Sequence, residues 1–329
     1  MTDSTETPPD SAKPVGDRIS LDDLGRQLQP AVGRLETERQ AVRKGMLTRA
    51  GAGIGGGVVL ALLLWLFGVG LFIPIIIFVL GTVGGVALAS WHVRSFKDRA
   101  ASALAPPIAA AIGEMDYERS PFALPEVEDF FDLKVVPRGN RTQFADCLRG
   151  RHRGTDFFLV ECKIVKRTQT HSQGKTRNRS TTVFNGLLVR VSVPISFDGT
   201  VFIGRDFGNI GNWLSGLVKK IGDMQPVTFP DSAFEQHYEV YADNEDTARR
   251  LIGKDFADAM VRIDDMAKGG RPRAAFSNGR FYLSLPWRGG FMEPVGVWRK
   301  IDMSPEWLQE IVDEMTLPHR IIDTLHGDG

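Results

Sequence analysis

The chain has 329 residues and 36.3 kDa, with 40 Lys and Arg balanced by 40 Asp and Glu, and 43% of its residues are hydrophobic. That composition excludes a wholly disordered chain. Only two cysteines are present, Cys147 and Cys162, without a CxxC or a companion His pair, which argues against a disulfide framework or a structural zinc site.

Residues 1–19 are rich in Thr, Ser, Pro and acid and read as a disordered tail. Ser20 and Asp23 resemble a capping box opening an amphipathic juxtamembrane helix over 20–49. Leu21, Leu28, Leu35 and Val42 recur every seven residues, with Leu24 and Ala31 between them. They suggest a short helical seam, weakened by Pro30 and Glu38.

Residues 50–90 hold no Asp, Glu, Lys or Arg. One straight helix of that length would span roughly 60 Å, twice a bilayer core of about 30 Å. The glycines at 68 and 70, followed by Pro74, break the run, so the sequence predicts a two-helix transmembrane hairpin over 50–91. Arg39, Arg43, Lys44 and Arg49 flank one end, Arg94, Lys97 and Arg99 the other, and the turn carries no charge. The positive-inside rule then predicts a bacterial inner membrane protein with two spans and both termini in the cytoplasm. Gly51, Gly53 and Gly56 match GxGxxG, yet no strand precedes them and a lipid-compatible run follows, which rules against a dinucleotide loop. The pairs Gly53 with Gly57 and Gly81 with Gly85 fit close packing of two helices instead.

A juxtamembrane helix and linker are expected over 92–129, interrupted at Pro106-Pro107 and resuming over 108–115. An α+β cytoplasmic domain, an antiparallel sheet with flanking helices, follows over 130–329. Strands are predicted at 157–165, 183–193, 201–203, 227–229 and 234–241, and a hairpin joins 273–276 to 280–285 across Ser277-Asn278-Gly279. Helices are predicted at 209–221, 244–252, 255–266 and 305–317, the last capped by Ser304, with a shorter turn to Leu325.

Charge is more informative than any motif. Residues 138–179 contain eleven Lys and Arg against Asp146, Asp156 and Glu161, whereas residues 231–265 contain ten acids against four bases. The stretch 168–180 reads as a mobile polar hairpin tip. Lys163, Lys166, Arg167, Lys175, Arg177 and Arg179 are the candidate contacts for anionic lipid or an acidic partner, a second copy of the chain included. Interleaved aromatics are lacking, so no nucleic acid is expected. The six histidines are scattered and no metal or cofactor motif is present. Glu235, His237, Glu239 and Asp243 are the one grouping from which a catalytic site could be built, and catalytic residues are otherwise unknown.

Two stretches resemble a bacterial family, the domain of unknown function 3137. One is Thr182-Val183-Phe184-Asn185-Gly186-Leu187-Leu188-Val189, continuing at Phe202-Ile203-Gly204-Arg205-Asp206. The other is Phe234-Glu235-Gln236-His237-Tyr238-Glu239-Val240-Tyr241-Ala242-Asp243 with Ala248-Arg249-Arg250-Leu251-Ile252. The resemblance implies an N-terminal helix, a paired membrane segment and this domain, and it implies no activity. The expected role is a membrane-tethered, non-enzymatic binding or scaffolding module. The alternatives are an anchored enzyme built on those acids and His237, or an oligomeric transport component, which two charge-free spans supply with no polar pathway in a single copy.

Overall fold

A computed structural model describes residues 20–68, 70, 72–172, 175–204, 224–229, 233–267, 270–293 and 295–326. The tail before residue 20 and the helix expected at 209–221 lie outside the described residues. The chain forms two units: residues 20–108 with 293–311, and residues 109–292 with 312–326.

The first unit is built on two long helices, α1 (Leu21–Leu66) and α2 (Phe72–Ile112). Ser20 caps α1 by accepting the Asp23 amide at 3.3 Å. The two helices reverse at Gly68, whose φ of 78° suits a residue without a Cβ. Both are long and apolar enough to cross a membrane, and only 6% and 11% of their apolar windows are buried. The sides of α1 and α2 between Ile54 and Trp91 thus display exposed Leu, Ile, Val, Phe and Trp. The helices meet through small residues. A Cβ on Gly53 would lie 3.0 Å from the Gly81 carbonyl and 3.2 Å from Gly85 Cα, and one on Gly81 would lie 3.1 Å from the Gly53 carbonyl. Gly53→Ile should therefore force the backbones apart and destabilise the pair by about 1–3 kcal/mol. Gly55→Ile, where a Cβ meets open space, should not. Unfolding of the detergent-solubilised chain compares the two.

Two sequence expectations need correction here. α2 runs unbroken through Pro106-Pro107. Leu104, Ala105, Ile108 and Ala109 around them are buried, and this packing outweighs two absent helical N–H groups. The buried seam of α1 is Leu24, Leu28, Val32, Leu35 and Arg39, a 3.6-residue stripe in place of the strict heptad ending at Val42.

Residues 293–311 return to this unit as a strap. It leads into α7 (Pro305–Met315), whose Leu308 lies over Gly25, where a Cβ would sit 3.5 Å from Leu308 Cδ1. Its anchor is Arg39, 5% exposed, which donates to the Val297 carbonyl at 2.8 Å and to both Glu36 oxygens at 2.7 and 2.8 Å. Glu36 in turn accepts the Ile301 amide at 3.3 Å. The Arg39 hydrogen bonds hold the Glu36 carboxyl down at about 2, against the opposing effect of burial. Lys97 pairs with Glu293, and Arg99 with Glu38.

Among the described residues, the second unit is one nine-stranded, wholly antiparallel sheet in the order β1-β2-β3-β4-β9-β8-β5-β7-β6. Its strands are β1 (Met115–Glu118), β2 (Arg141–His152), β3 (Thr155–Ser172), β4 (Lys175–Ser192), β5 (Thr200–Gly204), β6 (Gln225–Val227), β7 (Glu239–Ala242), β8 (Arg273–Ser277) and β9 (Arg280–Pro286). Its helices are α3 (Glu126–Asp132), α4 (Ala233–His237), α5 (Glu245–Leu251), α6 (Lys254–Met266) and α8 (Leu317–Leu325).

Alternation along β3 sorts the core. Phe158, Val160, Cys162 and Ile164 join Val127 and Phe130 of α3 on one face. On the other face Phe256 of α6 packs against Phe276 and Phe281 at ring distances of 5.3 and 5.5 Å. Burying one such side chain stabilises by about 1.5–3 kcal/mol. The β8–β9 hairpin forms across Asn278 and Gly279 with φ of 52° and 70°, the backbone that Asn-Gly adopts most readily. Residues 234–241, read as one strand, instead form α4 followed by β7.

Candidate binding surfaces

The longest strand pair is also a polar one toward its tip. β3 and β4 pair from Phe157↔Val191 to Ser172↔Lys175, with one register shift between Ile164 and Val165. β2 ends opposite Val165 and β9 ends opposite Gly186. Beyond those points the pair stands as a two-stranded ribbon, closed off on one side by Asn140. The side-chain amide of Asn140 donates to the Arg167 carbonyl at 2.8 Å and accepts the Arg167 amide at 2.9 Å. What the sequence suggests is a loop tip over 168–180 is therefore mostly paired strand. Threonines 168, 170, 176, 181 and 182 favour that geometry, while polarity on both faces removes the two-residue signal.

The register sorts the ribbon's charges. Opposed residues share a face, so Lys166 with Thr181 and Thr168 with Arg179 lie on one side, and positions 175 and 177 follow on it by alternation. Arg167 and Lys163 fall on the opposite face. Lys163, Lys166, Arg167 and Arg179 are exposed. The side chains of Lys175 and Arg177 lie outside the described residues. No acid occurs between Glu161 and Asp198.

A second charged feature is built from strands far apart in sequence. Arg149 of β2 and Arg190 of β4 are both opposite Phe158, and their guanidinium carbons lie 5.4 and 5.6 Å from its ring centroid. Arg280 of β9 lies on the same face, 3.7 Å from Asp129, whose carboxylate also accepts the Tyr282 hydroxyl at 3.1 Å. Glu126 accepts from Arg149 at 3.2 Å. Burial, then the neighbouring Arg280, pulls the Arg190 guanidinium below its ordinary value. Only the strand register reveals this row.

Beside β1, Asp146 is fully buried in the left-handed region at φ 47°, at the bulge of β2, and accepts from Tyr117 and Arg119. This network fixes the sheet's first strand.

The acids and the histidine of that grouping each have a partner of their own. Glu235 accepts the Phe229 amide at 2.6 Å, His237 meets Asp264 at 3.0 Å, and Glu239 lies 3.5 Å from the Tyr241 hydroxyl. Asp243 accepts the Thr200 amide at 2.8 and 3.0 Å, and Asn244 caps α5. Each polar group serves a local structural role. A hollow of about 580 Å³ lies elsewhere, between Glu114 and Asp116 on one side and Arg151 and Asp156 on the other. Cys147 and Cys162 are free and buried, and burial pushes both thiols up to about 12. Among the described residues, no cluster of His, Cys, Asp and Glu could hold a metal ion.

At α8, His319 is 3% exposed and neither ring nitrogen has a hydrogen-bond partner. It stacks on His152 at 4.2 Å and meets the edge of Phe157 at 5.2 Å. Asp323 accepts from His152 at 2.8 Å and from Arg153 at 3.4 Å.

Residues 182–326 match the family described as protein of unknown function (DUF3137). The positions that carry this resemblance are structural: Phe234 and Tyr238 are buried, Asp243 secures the start of β5, and Ala248 and Leu251 pack α5 inward. No curated protein matches the chain. Among solved structures, the chain is similar to the mycobacterial trehalose monomycolate transport factor A, TtfA. The identity is 13% over 69% of this chain and 96% of that one, with a TM-score of 0.33. That likeness is too loose to define a shared topology.

Proposed function

We infer that this chain is a membrane-anchored binding or scaffolding module whose β3–β4 ribbon engages an acidic partner. The observation that carries the reading is the ribbon itself: paired well beyond its neighbouring strands, polar on both faces, and without an acid from residue 162 to 197. A strand pair with no apolar face contributes little to a core, and its uniform charge favours encounter with negative surfaces. The exposed apolar helices support the anchor, and the basic residues flanking them support placement of the sheet unit in the cytoplasm at the inner membrane. The separate local roles of Glu235, His237, Glu239 and Asp243 favour binding over catalysis.

A photocrosslinking residue at Thr168 in the full chain, in native membranes, tests the reading. A protein adduct identifies a protein partner, a lipid adduct identifies the anionic leaflet, and absence of both overturns it. Lys166→Glu, Arg167→Glu and Arg179→Glu together should lower adduct yield roughly tenfold or more, each near-surface cation being worth about 1 kcal/mol against anionic lipid.

A further inference from the structure

The strap brings to the helical unit three residues that lie about 200 positions beyond the apolar helices in sequence. Val295, Val297 and Ile301 are buried, while Trp298, Arg299 and Lys300 face outward, Trp298 being 62% exposed. The Arg39 and Glu36 hydrogen bonds to Val297 and Ile301 hold this triplet between two backbone anchors. Its height along the helices follows from the pairings. Gly53 meets Gly85, and farther along Glu38 meets Arg99, so Val297 beside Arg39 lies level with the region of Arg99. Arg99 is eight residues past Trp91, about 12 Å along the helix axis. Trp91, 66% exposed, ends the apolar belt. Exposed Arg43, Lys44 and Arg94 occupy the interval between, and exposed Arg49 lies level with Gly85 at the edge of the belt.

The geometry points to Trp298, Arg299 and Lys300 as a second membrane contact, seated in the headgroup layer and taking anionic phospholipid headgroups. This rests on the membrane-anchored reading of α1 and α2. Tryptophan favours the membrane interface because its ring is apolar and its N–H is polar. Arg299 and Lys300 extend the ring of cations formed by Arg43, Lys44, Arg49 and Arg94, and this ring continues directly from the exposed apolar belt. An acidic headgroup complements that charge. The buried Arg39 thereby acquires a role beyond stability, since it sets the height at which the tryptophan is displayed.

The full chain is reconstituted in phosphatidylcholine vesicles with about 30% phosphatidylglycerol, with and without a headgroup spin label that quenches tryptophan. Trp298→Phe should remove at least about one-sixth of the quenchable emission, since it is one tryptophan of six and only those near the headgroups are quenched. Arg299→Glu with Lys300→Glu should produce a similar loss while leaving Trp298 in place. If Trp91→Phe lowers quenching but Trp298→Phe does not, the contact is refuted and the anchor stands. If neither lowers it, the anchor itself is refuted. If the loss with Trp298→Phe is equal in vesicles of phosphatidylcholine alone, preference for anionic headgroups is refuted.

Discussion

Arg39→Ala should destabilise the helical unit by about 3–5 kcal/mol, among the largest effects of any single substitution in the chain. The guanidinium is 5% exposed and makes three hydrogen bonds, so its loss leaves the Glu36 carboxylate part-buried and the Val297 carbonyl without its donor. Arg39→Lys should recover only part of the loss, because an ammonium cannot hold both Glu36 oxygens and a carbonyl with the same planar fork. The strap should become the first segment cut by protease, within residues 293–304, while the β8–β9 hairpin stays intact. Equal protease resistance of wild type and Arg39→Ala would show that the strap is held by its apolar residues alone.

The second large effect is one of pH. Burial, reinforced by the neighbouring His152, pushes His319 down to about 4 from the ordinary histidine value of 6.5, against the attraction of Asp323. His152 and Asp323 are the ionisable groups acting on it, and β3 presents the ring of Phe157. Between pH 6.5 and 4 the unfolded chain binds the proton that the folded chain refuses. Stability from this group is therefore complete above pH 6.5 and falls as the pH drops toward 4, by about 3 kcal/mol in all. Hydrogen exchange of α8 at pH 7.5 and 4.5 should show the loss. His319→Leu should flatten the profile across that window and leave stability at pH 7.5 equal or higher, since it removes two buried nitrogens that lack partners. A profile unchanged by His319→Leu would assign the acid sensitivity to Asp323 and the other carboxylates.

The features legible in the sequence are those fixed by neighbouring residues. Ser20 and Ser304 cap the helices they precede, Asn278-Gly279 closes the hairpin, and an uncharged run of 41 residues becomes the exposed part of two long helices. The misreadings arise where distant packing decides. Pro106-Pro107 resembles a break until the buried residues around it are known. β2 has no clear two-residue signal, because the bulge at Asp146 interrupts its alternation. Arg39 reads as one more flanking cation, and nothing local to it signals that Val297, 258 residues away, receives its hydrogen bond. The row of Arg149, Arg190 and Arg280 depends entirely on strand register.

The strap also imposes an order on synthesis. Gly25 meets Leu308, and Glu36 meets Ile301, so the ends of this arrangement emerge from the ribosome almost the whole chain apart. At 5–20 residues per second, roughly, the helix pair exists for tens of seconds before residues 293–311 are available to it. During that interval Leu24, Leu28, Val32 and Leu35 lack part of their final cover, and strands β1 to β9 of the sheet unit are translated before it is supplied. A nascent chain stalled before residue 293 should therefore carry a loose stalk, completed only when Val297, 258 residues beyond Arg39, becomes available.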